Sequence, residues 1–210
     1  LAAPGTIVDI GKISGLSGIT SDGFIRIGAT TTYAEVIDYD KFGDFLMIIM
    51  DQVANQAAKI HYMSGGRWKV PMVIRATMGA TRRSAAQHSQ SLHAWPSHIP
   101  GLKVVIPSTP YDAKGLLKAA VREDNPVVIF EHAQLYNMEG ELPDDWRCDI
   151  TTAAVRREGT DISLITYGGS LPKTLAAAEQ LAAEGIAAEV IDLRVLRPLD
   201  TATLAASLRK

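Results

Sequence analysis

The segment from Val70 to Glu131, VPMVIRATMGATRRSAAQHSQSLHAWPSHIPGLKVVIPSTPYDAKGLLKAAVREDNPVVIFE, constrains the fold more than any other part of the chain. It holds three short apolar runs rich in Val and Ile: Val70 to Ala76, Lys103 to Ile106 and Pro126 to Phe130. The stretches between them are too long for hairpins, and parallel neighbours need long crossovers, so the pattern predicts a parallel sheet. The loop from Met78 to Gln90 then leaves a strand's carboxyl end carrying Gly79, Arg82, Arg83, His88 and several Ser and Gln side chains. Open α/β sheets bind ligands outside the carboxyl ends of their strands, which makes this loop the first candidate site.

Around this segment the chain changes character several times. Between Thr6 and Gly28 the pattern is a small β region, with TIVDI as a strand and Asp22-Gly23 as a hairpin turn before FIRIG. From Asp44, DFLMIIMDQVANQAAKI is apolar on nearly every side, with Asp44 placed to cap, and reads as a buried or interfacial helix ended by Gly65-Gly66. Leu46, Ile49, Val53 and Ala57 read as core, while the aromatic Phe45 could face a ligand.

Residues 139–150, including GELPDDWRCD, read as a polar linker. A second α/β unit follows: a strand at Ile162 to Thr166, a helix whose Leu171, Leu175, Ala178 and Leu181 share one face up to Gly185, and a strand at Ala188 to Ile191. Gly168-Gly169-Ser170 reads as the helix-opening turn with Ser170 as cap, and Asp200 opens a last helix. The chain begins at Leu1 and stops inside that helix, which suggests a piece of something longer.

Composition excludes some classes. With 21 Lys and Arg against 23 Asp and Glu, and only small basic doublets, no basic stripe favours nucleic acid as a partner. No apolar run reaches membrane-spanning length. The single cysteine, Cys148, can form neither an internal disulfide nor a Cys-based metal site, which favours a reducing, cytoplasmic setting. His93 and His98 are five apart with Pro96 between them, so they do not stack as a zinc pair; His61 and His132 read as packing or capping residues.

Several long motifs in one order carry a more specific reading. FGDFLMIIMDQVANQAAKIHYMSGG, MVIRATMGA, AAQHSQS, IPGLKVVIPSTPYDAKGLLKAAVREDNPVVIFE and VIDLRVLRPLD together resemble the beta subunit of thiamine-diphosphate-dependent 2-oxo acid dehydrogenases, over Phe42 to Lys210. The resemblance implies an α/β fold: an incomplete parallel-sheet, pyrimidine-type thiamine-diphosphate domain at 41–138, followed by the start of a transketolase C-terminal domain at 151–210. It implies oxidative decarboxylation of a 2-oxo acid, pyruvate foremost, with acyl transfer to a lipoyl carrier. Acetoin and branched-chain 2-oxo acid dehydrogenase beta subunits are the nearest alternatives.

Site roles follow from the same likeness. His88 matches the histidine near the cofactor's reacting carbon, a place for proton handling, and Phe45 matches the aromatic that packs on the aminopyrimidine. The loop AAVREDNP matches one that binds potassium through backbone oxygens, implicating Ala120, Val121, Glu123 and Asn125; a C-terminal cap by Asn125 reads the same residues equally well. The implied partners are an alpha subunit that binds the diphosphate and its Mg2+, a second beta subunit and a lipoyl-bearing acyltransferase.

Three departures bear on activity. The family's activating glutamate lies upstream; counting back falls near Ile19, and Glu35 is too close to Phe45 to replace it. No GDG motif occurs, and half of the C-terminal domain is missing, so the chain alone is expected to be inactive. Residues 1–36 instead resemble part of a flavin-binding subunit of the carbon monoxide and xanthine dehydrogenase family, without its glycine-rich loops, which sets residues 1–40 apart as a β-rich head of different origin. A flavin-binding electron-transfer module, favoured by this head, and a non-catalytic assembly subunit, favoured by the nearly all-apolar helix from Phe45 to Ala58, are the readings from other classes.

Overall fold

The computed structural model describes residues 19–21, 25–27, 51–79, 85–143 and 148–209. The chain divides into two compact units, Leu1–Val53 and Ala54–Lys210. In the first, strands β1 (Ile19–Ser21) and β2 (Ile25–Ile27) pair antiparallel with Thr20 opposite Arg26, as the Asp22-Gly23 turn predicts. TIVDI, Asp44, Phe45, Leu46 and Ile49 lie outside the described residues. The described end of the expected long helix is a π-helical stretch, Gln52–Ala57, followed by the short α1 (Ile60–Met63).

The larger unit is built on the expected parallel strands. β3 (Val73–Met78), β4 (Lys103–Val105) and β5 (Val127–His132) run parallel, with β5 in the middle and Val127 level with both Val73 and Lys103. Between them lie the short helices α2 (Ala85–His88) and α3 (Ala94–His98), and then the crossover helix α4 (Pro110–Ala120). α4 starts where the sequence chemistry favours a start: Thr109 accepts the Asp112 N–H at 3.1 Å, and Pro110 occupies the first turn, where its missing N–H costs nothing. Its Leu116 and Ala120 are buried against Val105, Val127, Ile129 and Ile150. Complete burial of a leucine contributes on the order of 1.5–3 kcal/mol.

A three-stranded sheet follows, in the order β6 (Ala154–Arg157), β8 (Ala188–Asp192), β7 (Ile162–Thr166), with β7 parallel and β6 antiparallel to β8. Helix α5 (Leu171–Ala183) packs Leu171, Leu175, Ala178 and Leu181 on this sheet's Ala188, Val190 and Leu164, which is the face the spacing predicts. α6 (Thr201–Ser207) is capped by Asp200, whose carboxylate accepts the Thr203 N–H at 3.0 Å.

Two features differ from the sequence expectation. Strand β9 (Val195–Arg197) returns to the first sheet and pairs antiparallel with β4, so the C-terminal half closes the edge of the N-terminal half's sheet. Ser170 occupies the cap position of α5 but makes no side-chain cap bond. The 3₁₀ turn Gly168–Ser170 leads straight into the helix, so Ser170 already has helical dihedrals and its hydroxyl is not aimed at the first N–H groups.

Candidate functional site

The carboxyl ends of the parallel strands converge on one histidine that the sequence reading treats as a packing or capping residue. β5 ends at His132, whose Nδ1 accepts the Gln134 N–H at 3.4 Å and so does cap the following 3₁₀ turn. Its ring also lies close against two glycine backbones. A Cβ on Gly79, just past β3, would sit 2.7 Å from the ring's Cε1, and one on Gly169 would sit 2.6 Å from the same atom. Only glycine lets both backbones come this close. Burial, and then the Lys173 ammonium, push the His132 pKa below the ordinary histidine value.

The turn bearing Gly169 is fixed from below. Ser108, just beyond β4, accepts the Gly168 N–H at 2.8 Å and donates to Asp192 Oδ1 at 2.8 Å. Asp192 ends β8 and opens an ionic cluster whose two acids are wholly buried. Arg156 reaches its Oδ2 through Nε at 3.2 Å and Nη2 at 2.8 Å, and bonds Asp112 through the same Nη2. Arg194 Nη1 lies 2.9 Å from the other oxygen of Asp112, while its Nε donates to Thr152 O at 3.0 Å. Burial pushes the Asp192 carboxyl up, with the Arg156 bonds pulling it back. Burial also opposes the charge on Arg156, yet Asp112 and Asp192 outweigh it and raise the pKa of that guanidinium. The cluster ties α4, Thr152, β6 and the β8–β9 turn together.

His88 closes α2, after the strand end at Met78 and Gly79, which puts it on the loop the sequence singled out. Phe45, Arg82 and Arg83 lie outside the described residues. Five residues past His88, His93 packs against Phe130 and Tyr167, and its Nε2 lies 3.1 Å from the Tyr167 hydroxyl. The sequence offered no signal for this pairing, because the partners are 74 positions apart.

The AAVREDNP loop leaves α4 at Val121, which holds the cap position, so Asn125 lies beyond the helix and is not its cap. Ala120 O accepts the Glu123 N–H at 3.2 Å, and Lys103 Nζ meets the Glu123 carboxylate at 2.7 Å. Among the described residues no group of three or more His, Cys, Asp or Glu side chains is arranged to hold a metal ion.

A separate pocket of about 370 Å³ opens between α4 and residues 133–142. Its apolar wall includes Leu117 and Met138; Arg75 Nε and Nη2 both sit 2.6 Å from Glu131 Oε1, Tyr136 donates to Oε2 at 3.1 Å, and Lys114 Nζ donates to Pro143 O at 2.7 Å.

A mainly parallel sheet joined to a second, mixed sheet defines an α/β domain pair. Comparison with known proteins names that pair: the transketolase pyrimidine-binding domain matches residues 25–139 and the transketolase C-terminal domain matches 151–210. The chain belongs to the transketolase family. It is 50% identical over 179 residues to the beta subunit of acetoin:2,6-dichlorophenolindophenol oxidoreductase from Cupriavidus necator, covering 85% of this chain and 53% of that one. It is 46% identical over 197 residues to the pyruvate dehydrogenase E1 component subunit beta of Rhizobium meliloti, covering 91% and 43%.

Among solved structures it resembles a split gene transketolase, described as an inactive beta4 tetramer. The TM-score is 0.63 at 25% identity, covering 83% of this chain and 51% of that one. The chain thus spans about half the length of the curated relatives it matches. The pyrimidine-binding match already takes in residues 25–36, and the comparisons lend the flavoprotein likeness of the head no support. No helix of the described residues is long and apolar enough to cross a membrane.

Proposed function

We propose that this chain is the beta-subunit portion of a thiamine-diphosphate-dependent 2-oxo acid dehydrogenase that decarboxylates pyruvate oxidatively and passes the acyl group to a lipoyl carrier. The observation that carries this reading is the order of the two matched domains, together with 46% identity to a pyruvate dehydrogenase beta subunit over nearly the whole chain. Acetoin is the second substrate reading, favoured by the 50% identity to an acetoin oxidoreductase beta subunit.

The family likeness assigns this chain one half of such a cofactor site. Bound thiamine diphosphate supplies the electron sink for decarboxylation. His88, on the loop past β3, handles a proton near the reacting carbon, and Phe45 offers a flat apolar face to the aminopyrimidine. An alpha subunit brings the diphosphate and its Mg2+; a second beta subunit and a lipoyl acyltransferase complete the assembly, in the cytoplasm. A potassium ion held by the carbonyls of Ala120, Val121, Glu123 and Asn125 suits an all-oxygen donor set. Ala120 O keeps a second lone pair beyond its bond to Glu123. Residues 1–24 precede the matched pyrimidine-binding domain, and 139–150 link the two domains.

The test is co-purification with a cognate alpha subunit, followed by calorimetric titration with thiamine diphosphate and Mg2+ and a dye-reduction assay with pyruvate and with acetoin. The reading expects a hetero-oligomer that binds the cofactor, binds it more weakly as Phe45→Ala, and loses turnover as His88→Ala. A chain that neither pairs nor binds refutes it. The chain alone is expected to turn over nothing, and pyruvate consumption by the isolated chain would contradict that.

A further inference from the structure

His93 joins parts of the molecule that are distant in sequence. Its ring centroid lies 5.4 Å from that of Tyr167 at 64°, and Phe130 of β5 stands edge-on at 6.2 Å and 76°. Tyr167 directly follows β7 and precedes the Gly168–Ser170 turn, so the two hydrogen-bonded residues belong to the two matched domains. A second bond runs the same way: Arg197 Nη1 of β9 donates to Ser97 O of α3 at 3.1 Å. The C-terminal domain therefore grips α3 from both sides of Pro96.

The chemistry of the His93 ring makes the grip specific. Its Nδ1 is buried and has no hydrogen-bond partner. A neutral imidazole has one donor and one acceptor nitrogen. With Nε2–H donating to Tyr167, the orphan is an acceptor; the other tautomer buries an unpaired N–H, the rarer outcome in proteins. An imidazolium would bury a charged N–H with nothing to accept it, and burial already pushes the His93 pKa down. Phe130 contributes no charge from its side, and Tyr167 is the one titratable group that bonds the ring.

The segment just before His93 has little core of its own. Ala85, Ala86, Gln90, Ser91 and Leu92 are exposed, and Ala85 has a φ of +57°. The bond at His93 anchors its carboxyl-terminal end. Catalytic placement is sensitive to shifts of about 1 Å.

We propose that His93 and Tyr167 are positioning residues whose hydrogen bond lets the C-terminal domain fix the segment carrying His88. The consequence for turnover rests on the reading of His88 given above; the physical tie does not.

The test uses the full chain, labelled with ¹⁵N, and Tyr167→Phe, which keeps the ring and removes the oxygen. Imidazole correlation spectra are expected to show His93 as the neutral Nε2–H tautomer at pH 6.5. Hydrogen exchange of residues 85–98 is expected to accelerate about fivefold in Tyr167→Phe, the worth of one hydrogen bond, with residues 110–120 unchanged. In the hetero-oligomer with its alpha subunit, kcat falls while KM holds. A His93 that titrates at the ordinary value, or exchange that does not change, overturns the tie. Faster exchange with unchanged kcat overturns the positioning role. If His88→Ala leaves turnover intact, the reading of His88 is what fails, and the exchange and tautomer results still decide the tie.

Discussion

Asp112 on α4 and Arg194 in the turn before β9 meet at 2.9 Å across 82 residues of chain, at a point where the Asp112 side chain is wholly buried. Arg156 holds the other carboxylate oxygen and keeps Asp192 as a second acid, so it is Arg194 that loses its carboxylate when Asp112 is removed. Removing one partner from a buried pair leaves an uncompensated charge, at a cost of about 3–5 kcal/mol. Asp112→Ala is therefore expected to lose stability of that order in urea unfolding. A loss under about 1 kcal/mol would mean that the cluster behaves like an exposed ion pair.

Gly101 and Gly185 make a matched pair for a second prediction. Both have positive φ, +99° and +85°, so alanine at either position carries the left-handed penalty of about 1–2 kcal/mol. A Cβ at Gly185 meets nothing within 4 Å, whereas at Gly101 it would lie 1.8 Å from the backbone oxygen of Ala58. Gly185→Ala should fold with a modest drop in its denaturation midpoint. Gly101→Ala should lose several kcal/mol more or fail to fold, because a backbone oxygen cannot swing aside. Equal midpoints for the two variants would show that the Ala58 contact is not maintained in solution.

The sheet was legible because its signal is local. Val and Ile runs such as VVIF mark buried strands by themselves, and the spacing between runs decides parallel over antiparallel. β9 carried no such signal: its three residues end in Arg197 beside Pro198, which reads as loop until β4 offers an open edge. The ionic cluster was hidden for a different reason. Asp112 sits in a helix's first turn, where an acid reads as dipole and capping chemistry, and Arg156 sits in a doublet that reads as surface. What could have flagged it is Asp192, a charge at the end of the strand AEVID, whose five residues are all buried. Of the site, His88 and its loop could be read from sequence; His132 framed by Gly79 and Gly169, and His93 against Tyr167, could not, since glycine contacts and long-range pairs leave no periodic trace.

Gly169→Ala tests the frame around His132 directly. The added methyl would overlap the ring by close approach to Cε1, Nδ1 and Nε2 together, at 2.6 to 2.8 Å. The ring must shift, and Gly79, whose own Cβ would lie 2.7 Å from Cε1, limits where it can go. We expect a loss of about 1–3 kcal/mol, typical of overpacking, and a shifted imidazole signal for His132 with α5 intact by circular dichroism. An unchanged His132 spectrum would show that the ring is free to move away from both glycines.

The acid side of the stability profile should bear the mark of two histidines. Burial lowers the folded-state pKa of His93, and burial with Lys173 lowers that of His132, while the unfolded chain titrates near the ordinary value of about 6.5. Below about pH 6.5 the unfolded state therefore binds more protons than the folded one, and stability falls as pH drops toward the lowered folded values. Above about 6.5 neither histidine has any effect of this kind. Asp192 acts in the opposite sense: its raised pKa makes the folded state take up a proton first, which adds stability as the pH falls through that raised value and partly offsets the histidines. The lowered Asp200 carboxyl, held by the Thr203 hydroxyl and N–H, gives up its contribution only below the ordinary aspartate range. Urea midpoints measured from pH 7.5 to 5 should decline below about 6.5, and His93→Asn should flatten that decline while His132→Asn flattens the remainder. A profile level down to pH 5 in the wild-type chain, or one that His93→Asn and His132→Asn leave unchanged, would mean that both rings are already open to solvent.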